Sequence, residues 1–294
     1  MELWHSIVLG LVQGLTEFLP VSSSAHLRVV GELIGSSDPG AAFTAITQIG
    51  TEAAVIIYFR RDLARILSAW WYALCGRRGR GVRARTGWST ATEQADHDAQ
   101  MAWFIALGTL PIVVLGLGFQ DVIENTFRNL YLITATLAGF AVILWIADRI
   151  GAKKRQLQQL TMRDSILFGF AQALALIPGV SRSGGTITMG LLMGYTREAA
   201  ARYSFLLALP AVLGSGFFQL AKSLDDSTAS AVPMTQTVVA TVVAFAVGYV
   251  VIVGFLRLIT KRSYAGFVWY RIAAAAVILV LLATNVLSAY GTHA

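Results

Sequence analysis

Two short stretches of this chain carry side chains suited to phosphate chemistry, and both lie in apolar surroundings. The first runs from Gln13 through Glu17 and Pro20 to Ser22, Ser23, Ser24 and His26. The second is Pro178-Gly179-Val180-Ser181-Arg182-Ser183-Gly184-Gly185-Thr186. An ionisable side chain within a hydrophobic segment costs about 2.5–3.5 kcal/mol on insertion scales, so such residues mark function by default. One stretch supplies a carboxylate, hydroxyls and an imidazole, and the other a guanidinium, hydroxyls and glycines.

Gln13 and Glu17 are four residues apart and share one face of a helix. They could simply hydrogen-bond across helices. Glu17 could equally act as a general base, or ligate a hard cation that also binds phosphate oxygens. A lone histidine is usually structural, but His26 follows a serine cluster and so becomes an acid/base partner for a hydroxyl nucleophile. Spacing alone leaves Ser22, Ser23 and Ser24 equivalent. In the second stretch a guanidinium fork suits phosphate oxygens, and a Gly-rich turn entering a helix offers backbone N–H groups to an anion. Ser181, Ser183, Gly184 and Thr186 would add donors. Arg182 snorkelling to an interface is the competing reading. A P-loop is excluded, because no Gly-Lys-Ser/Thr follows and no strand pattern precedes. Glu52, in the first long apolar run, is either a second site carboxylate or a partner for a basic residue. Arg202 has the same ambiguity, between phosphate and Glu198.

These residues must be positioned by membrane helices. Of the 294 residues, 56% are hydrophobic and 13% charged, and the mean hydropathy is +0.64. Soluble domains carry about 25% charged residues. Six runs are long enough to span, at about 41–59, 102–119, 130–147, 200–220, 238–258 and 267–288. Continuous rather than alternating runs argue against a β-barrel. Glu2 and His5 stand where a cleavable leader would be basic, so none is expected. The single Cys75 allows no internal disulfide.

The net charge of +7 does not point to nucleic acid. Sixteen basic residues cluster at the ends of the first, third and fifth runs, eight from Arg60 to Arg85, five from Arg149 to Arg163 and three from Arg257 to Arg262, against only Arg128 and Lys222 in the other two connections. This is a positive-inside pattern that places both termini outside. Residues 66–101 read as a cytoplasmic loop with short interfacial helices around its tryptophans. Trp103, Tyr131, Trp145, Tyr249 and Trp269 read as interfacial or packing residues.

Two further apolar segments, about 3–31 and 166–194, are broken by Pro, Ser and small residues. They echo each other at an interval of 159 residues: Gln13 and Gln172, Gly31 and Gly190, Gly35 and Gly194. Three spans follow each, so the second copy would enter the membrane upside down. Paired broken helices on inverted repeats place a site near the midplane. The expected fold is therefore an all-α polytopic membrane protein with six transmembrane helices and two re-entrant helix-loop-helix segments. Residues 1–147 would form one repeat and 148–294 the other, within a single domain.

The two motifs resemble those of the undecaprenyl-diphosphate phosphatase family of the bacitracin-resistance type. Gln13 to His26 is similar to its first motif, (Glu/Gln)-Gly-x-x-Glu-Phe-Leu-Pro-x-Ser-Ser-(Ser/Thr)-Gly-His, and Pro178 to Thr186 to its second. The resemblance implies hydrolysis of undecaprenyl diphosphate to undecaprenyl phosphate, the lipid carrier of peptidoglycan synthesis. It also implies bacitracin resistance, a divalent cation (Mg²⁺ or Ca²⁺), a site facing the outer side of the bacterial cell membrane, and homodimers. It singles out Ser23 among the serines and assigns function to Glu17, His26, Ser181, Arg182 and Thr186. Gln13 stands where many relatives carry Glu, which removes one anionic metal ligand; Glu52 could restore that charge. Ala25 replaces a usual Gly, which matters only if that position needs a positive φ. The inverted-repeat architecture keeps a polyprenyl-phosphate flippase or an ion-coupled transporter as the alternative.

Overall fold

The computed structural model describes residues 1–36, 40–76, 91–119, 129–225 and 232–290. Ten α-helices lie among them. They are α1 Leu3–Thr16, α2 Ser23–Leu33, α3 Gly40–Leu74, α4 Ala91–Gly118, α5 Leu130–Ile150, α6 Met162–Ala173, α7 Arg182–Leu192, α8 Arg197–Asp225, α9 Met234–Ile259 and α10 Ala265–Ala283. Six of these, α3, α4, α5, α8, α9 and α10, are long and apolar enough to cross a membrane. The protein is an all-helical, multi-pass membrane protein. All six coincide with the apolar runs read from sequence.

The expected loop at 66–101 differs in extent. α3 continues to Leu74 and α4 begins at Ala91, so both flanks are helical, and 77–90 fall outside the described residues. The physical reason is amphipathicity: in 60–74 and 91–101 polar residues interrupt the hydropathy but not the helix. Ile66 and Ala69 stay buried among the arginines, while Ala95, Ala99 and Met101 are buried on α4. Arg65 then joins the two helices through Asp98 at 2.9 Å.

The broken segments each fold as a helix, a turn and a second helix. At 1.5 Å per residue, helices of 11 to 14 residues reach about 17–21 Å, short of the ~30 Å hydrocarbon core. The interval of 159 residues recurs in their geometry. α1 and α6 begin at 3 and 162, while α2 and α7 span 23–33 and 182–192. The residues before α2 and α7, Ser22 and Ser181, have φ of 72° and 73°, and Gly35 and Gly194 end the hairpins at 72° and 84°. α1 packs against α9, and α6 against α4, so each hairpin rests on the middle span of the other half.

Close helix approach explains some of the small residues. A Cβ at Gly14 would meet Val247 at 2.7 Å, and one at Gly50 would collide with the Thr241 carbonyl, so α1 and α3 share α9 as a common support. At the start of α6, Thr161 and Asp164 form a reciprocal capping box. Burial raises the Asp164 carboxyl, but hydrogen bonds from Arg155, Thr161 and Tyr195 outweigh it and hold its pKa at about 2.

Candidate active site

The turns of the two hairpins meet inside the helix bundle, and the residues singled out by sequence converge there. Glu17 is the hub. Its Oε1 accepts from Arg182 Nη2 at 2.8 Å, and its Oε2 accepts from Gln13 Nε2 and from Ser23 Oγ, both at 2.7 Å. The same Arg182 Nη2 donates to Glu52 Oε1 at 3.0 Å. Glu52 thus belongs to the site; it pairs with Arg182 and makes no ion pair with Arg60 or Arg61 among the described residues. Gln13 and Glu52 are fully buried and Glu17 nearly so.

Two carboxylates against one guanidinium leave the cluster with one formal negative charge. Three of its polar atoms find no partner among the described residues: Arg182 Nη1, Glu52 Oε2 and Gln13 Oε1. Unpaired buried polar groups cost about 1–3 kcal/mol each, and three in one network mark a place built to receive a polar ligand. Gln172, the counterpart of Gln13 in the other hairpin, is also fully buried, and neither of its amide atoms finds a partner among the described residues.

Local backbone geometry presents these groups. Ser22 and Ser181 occupy the left-handed side of φ space, which strains a non-glycine residue by about 1–2 kcal/mol. That turn lets the next residue, Ser23 in one hairpin and Arg182 in the other, open a helix. Ala25 is not among the positive-φ residues, so its departure from Gly carries no backbone strain. In the second turn Ser181 Oγ accepts from the Gly184 N–H at 3.1 Å and lies 3.2 Å from Ser183 Oγ. Ser183 Oγ in turn donates to the Leu19 carbonyl at 3.0 Å, tying the two tips together. Thr186 is fully buried, and its hydroxyl donates to the Arg182 carbonyl at 2.8 Å and contacts Ser204.

His26 stands apart from the carboxylate hub. Its Nδ1 lies 2.7 Å from the Ser22 carbonyl and its Nε2 2.7 Å from Tyr270 Oη. A carbonyl only accepts, so Nδ1 carries the proton, and the neutral ring uses Nε2 to accept from the tyrosine. The two rings also stack, with centroids 5.5 Å apart. His26 therefore braces the strained Ser22 turn and makes no hydrogen bond to Ser23 or Glu17.

Two residues at the site escaped sequence reasoning. Tyr270 is one and Arg271 the other. Arg271 is fully buried in α10 and donates to the carbonyls of Pro20 at 3.1 Å, Gly179 at 2.9 Å, Val180 at 3.2 Å and Leu137 at 3.0 Å. It clamps both turns to the same helix. A charge inside the apolar run at 267–288 was the signal available for it. Arg202 turns away from the site, pairing with Asp62 at 2.8 Å and Glu198 at 3.9 Å.

Comparison with known proteins gives the family. The model of the family described as bacitracin resistance protein BacA matches residues 6–277. The chain belongs to that family. It is 54% identical over 291 residues to the undecaprenyl-diphosphatase of Renibacterium salmoninarum, covering 98% of this chain and 99% of that protein. It is 59% identical to an undecaprenyl-diphosphatase of Kineococcus radiotolerans, covering 99% and 97%. It is 57% identical to undecaprenyl-diphosphatase 2 of Agrobacterium fabrum, covering 96% of each. The matched residues take in the second hairpin, all but the first three residues of the first, and Glu52, Tyr270 and Arg271.

Proposed function

We propose that this protein is an undecaprenyl-diphosphatase, cleaving undecaprenyl diphosphate to undecaprenyl phosphate and phosphate, and that it thereby recycles the lipid carrier and confers bacitracin resistance. Family membership supports the activity. The observation that carries the reading to the residues is the buried Gln13–Glu17–Ser23–Arg182–Glu52 network with its three unpaired atoms.

Phosphoryl transfer rewards positioning and charge neutralisation. Arg182 holds the terminal phosphoryl through Nη1, with the turn from Ser181 to Gly184 beside it. Ser23 Oγ attacks phosphorus as its proton passes to Glu17 Oε2, already 2.7 Å away. The bond from phosphorus to the bridging oxygen breaks, and undecaprenyl phosphate leaves as an anion. Water then attacks the phosphoserine, the P–Oγ bond breaks, and Glu17 returns its proton to Oγ. The second water proton leaves as the product phosphate ionises. His26 keeps the Ser22 turn in the shape that aims Ser23.

A divalent cation fits these residues. Glu17, Glu52 and the Gln13 amide oxygen are hard oxygen donors, two of them with unpaired oxygens. Among the described residues no group of three His, Cys, Asp or Glu stands together, so an ion here would share substrate oxygens, as Mg²⁺ characteristically does. When bound, it would neutralise charge on the diphosphate. The distribution of basic residues supports a site open to the outer side, with both termini there.

The paired hairpins also support a flippase as a second reading, since such architecture serves alternating access. Phosphate release from undecaprenyl diphosphate by purified protein in detergent, with and without EDTA, separates the two. Release that EDTA abolishes is expected. No release in either condition overturns the phosphatase.

A further inference from the structure

A second polar cluster lies away from the catalytic turns. A cavity of about 620 Å³ is walled by Arg60, Arg61 and Arg65 of α3, Gln94 of α4, Gln158 before α6 and Arg202 of α8. None of Gln13, Glu17, Ser23, Glu52 or Arg182 lines it. Glu52, on the same helix, precedes Arg60 by eight residues, about 12 Å of helical rise.

Four guanidinium groups and three carboxylates line this cavity, and their pairing is uneven. Arg65 lies 2.9 Å from both Asp62 and Asp98. Arg202 lies 2.8 Å from Asp62 and 3.9 Å from Glu198, and its guanidinium sits 5.0 Å over the Phe59 ring. All three carboxylates are thus engaged with Arg65 and Arg202. Arg60 donates to the Ile57 carbonyl at 2.9 Å, but neither it nor Arg61 meets a carboxylate among the described residues, and both are exposed. Two guanidinium forks are therefore held in place and two are uncommitted around one cavity. We propose that this cavity binds the phosphate headgroup of an anionic membrane lipid.

Guanidinium forks match phosphate oxygens, and the place of the cavity says where the phosphate comes from. The apolar run at 41–59 ends immediately before Arg60, so the cavity lies at the level of lipid headgroups. Ile56 and Ile57 are 39% and 40% exposed and stand one helical turn before Arg60 and Arg61, on the same faces of α3. A lipid whose phosphate meets the arginines would lay its acyl chains along them. The positive-inside pattern supports the cytoplasmic leaflet, where basic pockets between spans take up anionic headgroups. Such a headgroup would reinforce a junction already made by Arg65 to Asp98 of α4 and by Arg202 of α8 to Asp62.

The proposal stands apart from the diphosphatase reading, and its test needs no turnover. Native mass spectrometry of the detergent-purified protein counts adducts of phosphatidylglycerol and of phosphatidylcholine, whose phosphate is balanced by its own ammonium. Phosphatidylglycerol should be retained at least about fivefold better, the scale of one basic residue's attraction to an anionic headgroup. Arg60→Gln with Arg61→Gln breaks no ion pair, and the preference should fall below about twofold. Lys154→Gln with Lys261→Gln removes equal charge from the basic clusters outside the cavity and should leave the preference intact. An unchanged preference in the arginine pair, or an equal loss in the lysine pair, overturns the cavity as the site. Inorganic phosphate should raise the melting temperature less than phosphatidylglycerol does. An equal rise that the arginine pair abolishes overturns the lipid in favour of free phosphate.

Photolabelling of the unaltered protein covers an arginine pair that does not fold. Phosphatidylglycerol with a diazirine near its glycerol should label peptides from residues 56–66 in excess over the phosphatidylcholine analogue. Equal labelling by the two overturns the proposal.

Discussion

The two hairpins have the same shape and opposite chemistry. Their second helices have equal length, their strained serines share φ to within a degree, and each rests on the middle span of the other half. Yet the first turn carries Glu17, Ser23 and His26, and the second carries Arg182 and glycines. They differ in how firmly they are held as well. Ser181 caps its helix through the Gly184 N–H, while Ser22 makes no such cap. The Pro178 carbonyl accepts from Thr136 at 2.6 Å, and Arg271 grips Gly179 and Val180 but only Pro20 in the first turn. A repeated fold thus supplies two equivalent points, and the sequences give one a guanidinium among glycines and the other a carboxylate with a serine hydroxyl beside it. Neither half is a site alone, because Arg182 completes Glu17 and Glu52 completes Arg182.

Breaking the reactive half should have the largest consequence. Ser23→Ala removes the proposed nucleophile, and turnover should fall by at least about ten-thousandfold, the scale of disabling a hydroxyl nucleophile's triad, with KM little changed. Phosphate release under saturating substrate measures this, and activity within tenfold of the parent would assign attack to water instead. Arg271→Met comes next. Removing the clamp leaves carbonyls of both turns unpaired, each costing about 1–3 kcal/mol, so thermal stability and turnover should fall together. A variant that loses turnover with unchanged melting temperature would make Arg271 a direct contact of substrate.

A glycine pair compares the rigidity of the two hairpins. Gly179→Ala, at φ 92° with Thr136 Oγ1 in the path of the new Cβ, should destabilise well beyond about 1 kcal/mol. Gly35→Ala, at φ 72° in open space, should cost only the backbone strain, about 1 kcal/mol. Equal losses in melting temperature would contradict the claim that the second hairpin is the tighter one. The smallest effect concerns pH. Asp164 holds a pKa of about 2 in the folded protein, below the ~3.9 of an unfolded aspartate. Its contribution to stability is therefore complete above about pH 4 and lost as pH falls through 2. Asp164→Asn should flatten the melting-temperature profile over that range.

Much of this was legible in the sequence because membranes make anomalies conspicuous. Glu17, Arg182 and Glu52 stood out as charges in apolar runs, and the interval of 159 residues linked the two hairpins before any coordinates. The six spans followed from hydropathy. What stayed hidden depends on tertiary placement. Tyr270 reads as one more aromatic near a span end until His26 is seen against it. Arg271 obeys the same rule that exposed Arg182, but lacks a motif of Gly and Ser to draw the eye. The helical extensions into 66–101 were masked by arginines, whose charge lowers hydropathy while leaving helix propensity intact. The acid/base role given to His26 from its distance along the chain placed it beside Ser23, whereas helix geometry turns its ring toward α10.

On the proposed reading, one phosphoryl site is shared between the two turns, and the guanidinium of the second is indispensable to the hydroxyl of the first. Phosphate release from undecaprenyl diphosphate by purified Arg182→Ala, alongside the parent protein, tests it most directly. Turnover should fall by at least about a hundredfold, the scale of removing a donor that stabilises a transition state, in protein that retains its helical content. Release near the parent rate would contradict it.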